Sequence, residues 1–138
     1  LPASLASIGG SAFSGCSNLT KINLPDNLTS IGKTAFSGCS SLTEIHFPAS
    51  LTSIGEYAFS GCSSLTEIHF PASLTSIGES AFSFCSSLTE VICYALVPPK
   101  LNGFSNSTIE NLYVPAESIQ AYKDSSWAIY FKNILPIE

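Results

Sequence analysis

Residues 35–56 read AFSGCSSLTEIHFPASLTSIGE, and residues 58–79 read the same, letter for letter. The offset is 23 residues, and it extends beyond these two copies. Pro2, Pro25, Pro48 and Pro71 share one column; Ile8, Ile31, Ile54 and Ile77 share another, followed by Gly9, Gly32, Gly55 and Gly78. Phe13, Phe36, Phe59 and Phe82 align, as do Cys16, Cys39, Cys62 and Cys85, and Leu19, Leu42, Leu65 and Leu88. A fixed period of this length is the mark of a solenoid, in which each coil touches only its neighbours. One coil cannot bury its own apolar side chains, whereas stacked coils bury them in a continuous core.

Each coil has a local reading. In Leu65-Thr66-Glu67-Ile68-His69-Phe70, Ile68 and Phe70 fall on one face and Glu67 and His69 on the other, the period of a strand. Pro71 then ends the ladder. The expectation is a right-handed solenoid of about five coils. Its strands lie near 20–24, 43–47, 66–70, 89–93 and 111–114, in one parallel sheet with strands about 4.8 Å apart. Leu74 and Ile77 sit on a second short extended segment, Gly78 turns the chain, and 79–82 form one helical or 3₁₀ turn with Ala81 and Phe82 inward.

The pattern fades after Val91. A degenerate fifth coil starts at about 93. In it Phe104, Ile109, Leu112, Val114 and Pro115 echo the columns, two residues short and without a cysteine. This places the solenoid at 1–114 and a C-terminal helical cap at 115–138. Residues 115–123 read as a short helix with proline in its first turn and Ile119 and Tyr122 on one face. Trp127, Tyr130, Phe131, Ile134 and Leu135 supply an apolar lid for the open end of the core. The chain contains no methionine, so further coils or a second cap are expected before Leu1.

The repeated LPxSLTSIGxxAFSGCSSLTEI resembles the BspA-like, or Treponema-type, leucine-rich repeats. The match is strong over 1–92 and weak over 93–114. The tail YVPAESIQAYKDSSW…FKNI resembles the closing segment common in such proteins from Bacteroides relatives. One departure from the general leucine-rich pattern is that the cysteine lies three residues before the strand's first leucine, not after the strand. The resemblance implies a secreted or cell-surface interaction module, with attachment to host or matrix proteins as its usual role. It brings no catalytic residues.

Composition narrows the function further. Charged residues are only 11% of the chain, the net charge is −5, and there is no arginine. Nucleic acid binding needs cationic side chains to displace counterions, so that class is excluded. No run of 18 apolar residues is present, so no segment is expected to insert in a membrane. Four of the five cysteines are one repeated position. Equivalent residues in stacked coils have parallel Cα–Cβ vectors, unlike the close, crossed geometry of a disulfide. Buried free thiols are therefore favoured over disulfides or a metal site, and Cys93, which replaces an inward phenylalanine, joins the core. Three N-x-T sequons occur, at Asn18, Asn27 and Asn106, and matter only in a eukaryotic secretory pathway.

His46 and His69, beside Glu44 and Glu67, offer four metal-ligand types in one patch. A flat ladder does not converge on a point, so solvated histidines are the expected reading. No catalytic site, cofactor or metal is expected. Asp26 and Asp124 lie off the histidine-bearing strands, and the SIG glycines are spaced as turns rather than as a phosphate loop.

What remains is the outward strand face. One column reads Lys21, Glu44, Glu67, Glu90, with Asn111 extending it; the next reads Asn23, His46, His69, Ile92, with Tyr113 extending it. No lysine lies between Lys33 and Lys100, where Glu44, Glu56, Glu67, Glu79 and Glu90 all fall. Two readings stay open. A monomeric, non-enzymatic module presents an acidic sheet face to a protein or glycan partner, or the segment is a spacer supporting a domain before Leu1. Under the first, a cationic partner loses affinity with salt, and again below roughly pH 6.5, where histidines gain charge.

Overall fold

A computed structural model describes residues 1–102, 104 and 109–138. The strands, in chain order, are β1 (Ser7–Ile8), β2 (Ser30–Ile31), β3 (Ser53–Ile54), β4 (Glu67–Phe70), β5 (Ser76–Ile77), β6 (Glu90–Cys93), β7 (Lys100–Leu101), β8 (Ile109–Val114) and β9 (Phe131–Pro136). Between β8 and β9 lie 3₁₀ turns at Ala116–Ser118 and Ser126–Tyr130, and one helix, α1 (Ile119–Lys123).

The strands form a parallel solenoid, with two sheets instead of the one expected. The first runs β1-β2-β3-β5-β7 and stacks Ile8, Ile31, Ile54, Ile77 and Leu101. The second runs β4-β6-β8-β9 and stacks Ile68, Val91, Leu112 and Ile134. The short extended segment expected at Leu74 and Ile77 is thus a sheet of its own. Conversely, no strand forms at 20–24, and 43–47 contributes only a His46–His69 bridge. Proline accounts for the difference. Tyr94 occupies the proline column, and its N–H donates to Phe70 O at 3.1 Å, closing the β4–β6 ladder. Pro48 and Pro71 have no N–H to donate at that point in the earlier coils.

The expected helical turn at 79–82 is also replaced. Ala81 N–H donates to Gly78 O and Ser83 N–H to Ser80 O, as in tight turns. The alternate amides bond between coils: Ser80 N–H to Asn102 O at 2.8 Å and, from the preceding coil, Phe59 N–H to Ala81 O at 2.7 Å and Gly61 N–H to Ser83 O at 2.8 Å. A helix would keep all these donors within one coil. Left-handed residues at Tyr57 and Ser80, with φ of 56° and 53°, break it and turn alternate amides toward the neighbour. Ala81 and Phe82 do point inward and are buried. The glycine after each Ser-Ile pair serves a different purpose from turning. A Cβ on Gly78 would lie 2.5 Å from Glu56 N, so the missing side chain is what lets adjacent coils approach.

Phe13, Phe36, Phe59 and Phe82 form a stacked spine with rings 5.1–5.2 Å apart, continued by Phe104 at 5.5 Å. All five cysteines are free thiols. Cys39, Cys62 and Cys85 each donate from Sγ at 3.3 Å to the carbonyl of Phe13, Phe36 and Phe59 in the preceding coil. Burial pushes the Cys85 thiol up to about 12 and raises Cys39, Cys62 and Cys93 as well. The register shortens after β6: Glu90 pairs with Asn111, 21 residues on.

The tail covers the core end. Trp127 is fully buried, lies edge-on to Phe70 and Tyr122, and donates from Nε1 to Pro99 O at 2.9 Å. Tyr122 donates to Ala95 O at 2.6 Å. The cap is only partly helical, however. Residues 131–136 add β9 as a fourth strand, because FKNILP repeats the in-out pattern of IENLYV and pairs with it, Leu112 opposite Ile134.

Candidate outer-face recognition site

Strand alternation sends Ile68, Val91 and Leu112 into the core and the residues between them outward. Register then builds two outward rows. Glu67, Glu90 and Asn111 align in one, with Asn133 continuing it. His69, Ile92 and Tyr113 align in the other, with Leu135 continuing it and His46 bridged on the near side. Of the residues singled out from the sequence, Glu67, His69, Glu90, Ile92, Asn111 and Tyr113 fall on paired strands and His46 on a bridge, whereas Glu44 lies on coil beside His46. Lys21 and Asn23 lie on coil without strand pairing, although Lys21 Nζ reaches Glu44 Oε1 at 3.6 Å.

The face changes character along the stack. Toward the N-terminus it is charged and open: His46 Nε2 lies 3.8 Å from Glu44 Oε1, and His69 Nε2 lies 3.4 Å from Glu67 Oε1. Toward the C-terminus it gains aromatic and aliphatic side chains and turns concave. Ile92, Tyr94, Tyr113 and Leu135, with Glu67 and Glu90, line a groove of about 660 Å³ that β9 helps wall. Tyr113 donates from its hydroxyl to Glu90 Oε1 at 3.4 Å. Desolvation, then the Glu90 charge, raises the Tyr113 hydroxyl above its ordinary value. Glu90 Oε2 is buried and accepts no hydrogen bond from the described residues. Among the described residues no three His, Cys, Asp or Glu side chains come together as a metal site, and no helix is long and apolar enough to cross a membrane.

Sequence reasoning missed Tyr94 and Leu135. Tyr94 carried a signal, since it is the first residue to break the proline column, at Pro2, Pro25, Pro48 and Pro71. Leu135 joins the face only through the pairing of β9 with β8. Asn18 and Asn27 are exposed, and Asn106 lies outside the described residues.

The geometry defines a parallel-strand repeat solenoid whose inward columns are uniform and whose outward face is graded. Residues 1–99 match the BspA type leucine rich repeat region, in six copies, and the chain belongs to that family. Among solved structures it is similar to the leucine-rich repeat protein of T. pallidum, at 28% identity and a TM-score of 0.70, over 99% of this chain and 68% of that one. It is similar to a leucine-rich repeat protein of Bacteroides ovatus at 30% identity and a TM-score of 0.66, over 97% of this chain and 36% of that one. The pneumococcal vaccine antigen PcpA shares the fold, at 20% identity and a TM-score of 0.73, over 99% of this chain and 40% of that one. No curated protein matches the chain.

Proposed function

We propose that this chain is a non-enzymatic interaction module of a secreted or cell-surface protein. Its outer β4-β6-β8-β9 face meets a protein partner, in adhesion to host or matrix surfaces. The observation that carries this reading is the contrast between the two sides of one strand. Inward residues repeat from coil to coil, whereas the outward rows grade from charged to aromatic and end over a groove. A core needs only the first. Membership of the BspA type repeats and the kinship in fold with a vaccine antigen support the surface setting. The spacer reading keeps one observation in its favour, the identity of 35–56 and 58–79, which simple duplication explains.

Display selection of random extended peptides against the folded chain separates the two. The triple variant Glu44→Gln, Glu67→Gln, Glu90→Gln serves as counter-target. A recognition face yields binders rich in lysine and arginine that the variant loses. A spacer yields no enrichment above a coil-matched repeat protein.

A further inference from the structure

Glu90 is in an unusual position for a carboxylate. Oε2 is buried with no hydrogen bond, and Oε1 accepts only the 3.4 Å bond from Tyr113. A carboxylate has about four acceptor sites, and leaving one unmet in a desolvated place is costly. No described residue relieves it. Lys21, Lys33 and Lys132 pair with Glu44, Glu56 and Glu110 respectively, and no lysine lines the groove. Glu67 and Glu138 add two further glutamates to the same lining, so the groove is an acidic hollow with no cation among the described residues that line it.

The rest of the lining selects among cations. Tyr94 and Tyr113 offer aromatic faces, and Ile92 and Leu135 an apolar floor. A metal ion would gain nothing from these side chains. A guanidinium uses them all: it forks onto a carboxylate, lies flat on an aromatic ring, and carries an apolar stem. A lysine ammonium is more strongly hydrated and has no flat face to stack.

We propose that this groove is a pocket for an arginine side chain from an extended segment of the partner, with Glu90 as its anchor. The proposal rests on the outer face being a recognition surface, and it assigns the residue that the surface reads. The guanidinium forks onto the Glu90 carboxylate and Glu67 closes the hollow over it. Tyr94 and Tyr113 flank the plane, and the methylene stem lies over Ile92 and Leu135.

The test uses the full chain, labelled with ¹⁵N, and three blocked probes: Gly-Gly-Arg-Gly-Gly and the same peptide with lysine or citrulline at the centre. Citrulline keeps the shape of arginine and removes its charge. The expected result is a saturable shift of the Glu90, Ile92, Tyr113 and Leu135 amides with the arginine probe. Binding is several-fold weaker for lysine and at least tenfold weaker for citrulline. Glu90→Gln, which keeps the volume, loses at least tenfold with an unchanged spectrum elsewhere. Tyr94→Ala, at an exposed ring, loses a few-fold and serves as the second variant should Glu90→Gln perturb the sheet. Equal binding of citrulline and arginine overturns the proposal. So do shifts spread evenly over Glu44 and Glu67, or indifference to both variants. Binding of a neutral oligosaccharide in the groove, with no response to arginine, overturns the arginine assignment but leaves the recognition face standing. A chain silent to all probes also overturns it, and the display selection then decides the wider reading separately.

Discussion

A single methyl group at Gly55 is expected to pry two coils apart. A Cβ built there lies 2.7 Å from Gly32 C, 2.7 Å from Lys33 N and 3.0 Å from Ile31 O. Ordinary contact begins near 3.4 Å, so the coils must separate by several tenths of an ångström. All three atoms are backbone, and none can rotate away. The same approach is held by the Gly55 N–H bond to Ile31 O at 2.8 Å, which lengthens with the separation. Overpacking of this kind costs about 1–3 kcal/mol, and a weakened hydrogen bond adds about 1 kcal/mol. The total for Gly55→Ala is about 2–4 kcal/mol, against a typical domain stability of roughly 5–15 kcal/mol. Two controls isolate the cause. At Gly9 a Cβ meets nothing within 4 Å, so Gly9→Ala stays within about 0.5 kcal/mol. At Gly61 the nearest backbone is 3.7 Å away but φ is +78°, so Gly61→Ala costs about 1–2 kcal/mol from left-handed strain alone. Urea melts followed by circular dichroism should rank the losses Gly9, Gly61, Gly55. A Gly55→Ala midpoint equal to that of Gly9→Ala would refute the close-approach reasoning.

Other expectations follow from the same packing. Unfolded thiols lose their protons near pH 9, whereas burial holds Cys85 protonated to about 12 and raises Cys39, Cys62, Cys93 and Tyr122 too. Between those limits the folded state binds more protons. Stability is therefore full below pH 9 and falls above it by about 1.4 kcal/mol per pH unit for each deeply buried group. Urea midpoints from pH 8 to 11 check this, and a flat profile contradicts it. Phe84 stands in the column of Gly15, Gly38 and Gly61, exposed and at φ 59°. Phe84→Gly should therefore stabilise the chain by about 1 kcal/mol, read as a raised Tm. Trp127→Ala removes a fully buried ring and its bond to Pro99 O, for an expected loss of about 3–5 kcal/mol in denaturant melts; a loss under 1 kcal/mol would mean that the tail does not seal the core.

The inward half of the fold was legible because every core column repeats at one interval. Ile31, Phe36, Cys39 and Leu42 recur as Ile54, Phe59, Cys62 and Leu65, and period two within 65–70 placed Ile68 inside and His69 outside. What escaped depends on backbone hydrogen bonds between coils, which a period does not encode. The Ser-Ile pairs are too short to read as strands, yet four of them stack, with Lys100–Leu101 as a fifth layer. Gly55 reads as a turn residue until the neighbouring coil is in place. Helical patterning over 79–82 failed because alternate amides serve the adjacent coil. The groove escaped for a further reason. Its walls come from register offsets of 21 and 22 residues, at Glu90–Asn111 and Leu112–Ile134, where the 23-residue rule no longer holds.

Recognition through the outer face is tested most directly by the salt dependence of affinity. The measurement is isothermal titration of the tightest basic peptide from the display selection into the native chain, at 50 mM and at 200 mM salt. It is repeated with the Glu44→Gln, Glu67→Gln, Glu90→Gln variant. Exposed ion pairs contribute about 0.2–1 kcal/mol each. Losing the exposed Glu44 and Glu67 together with the half-buried Glu90 should therefore weaken binding by at least tenfold at low salt, and most of the salt dependence should go with them. Equal affinities for the two chains at both salt concentrations would contradict recognition by this face and leave Glu44, Glu67 and Glu90 as products of coil duplication.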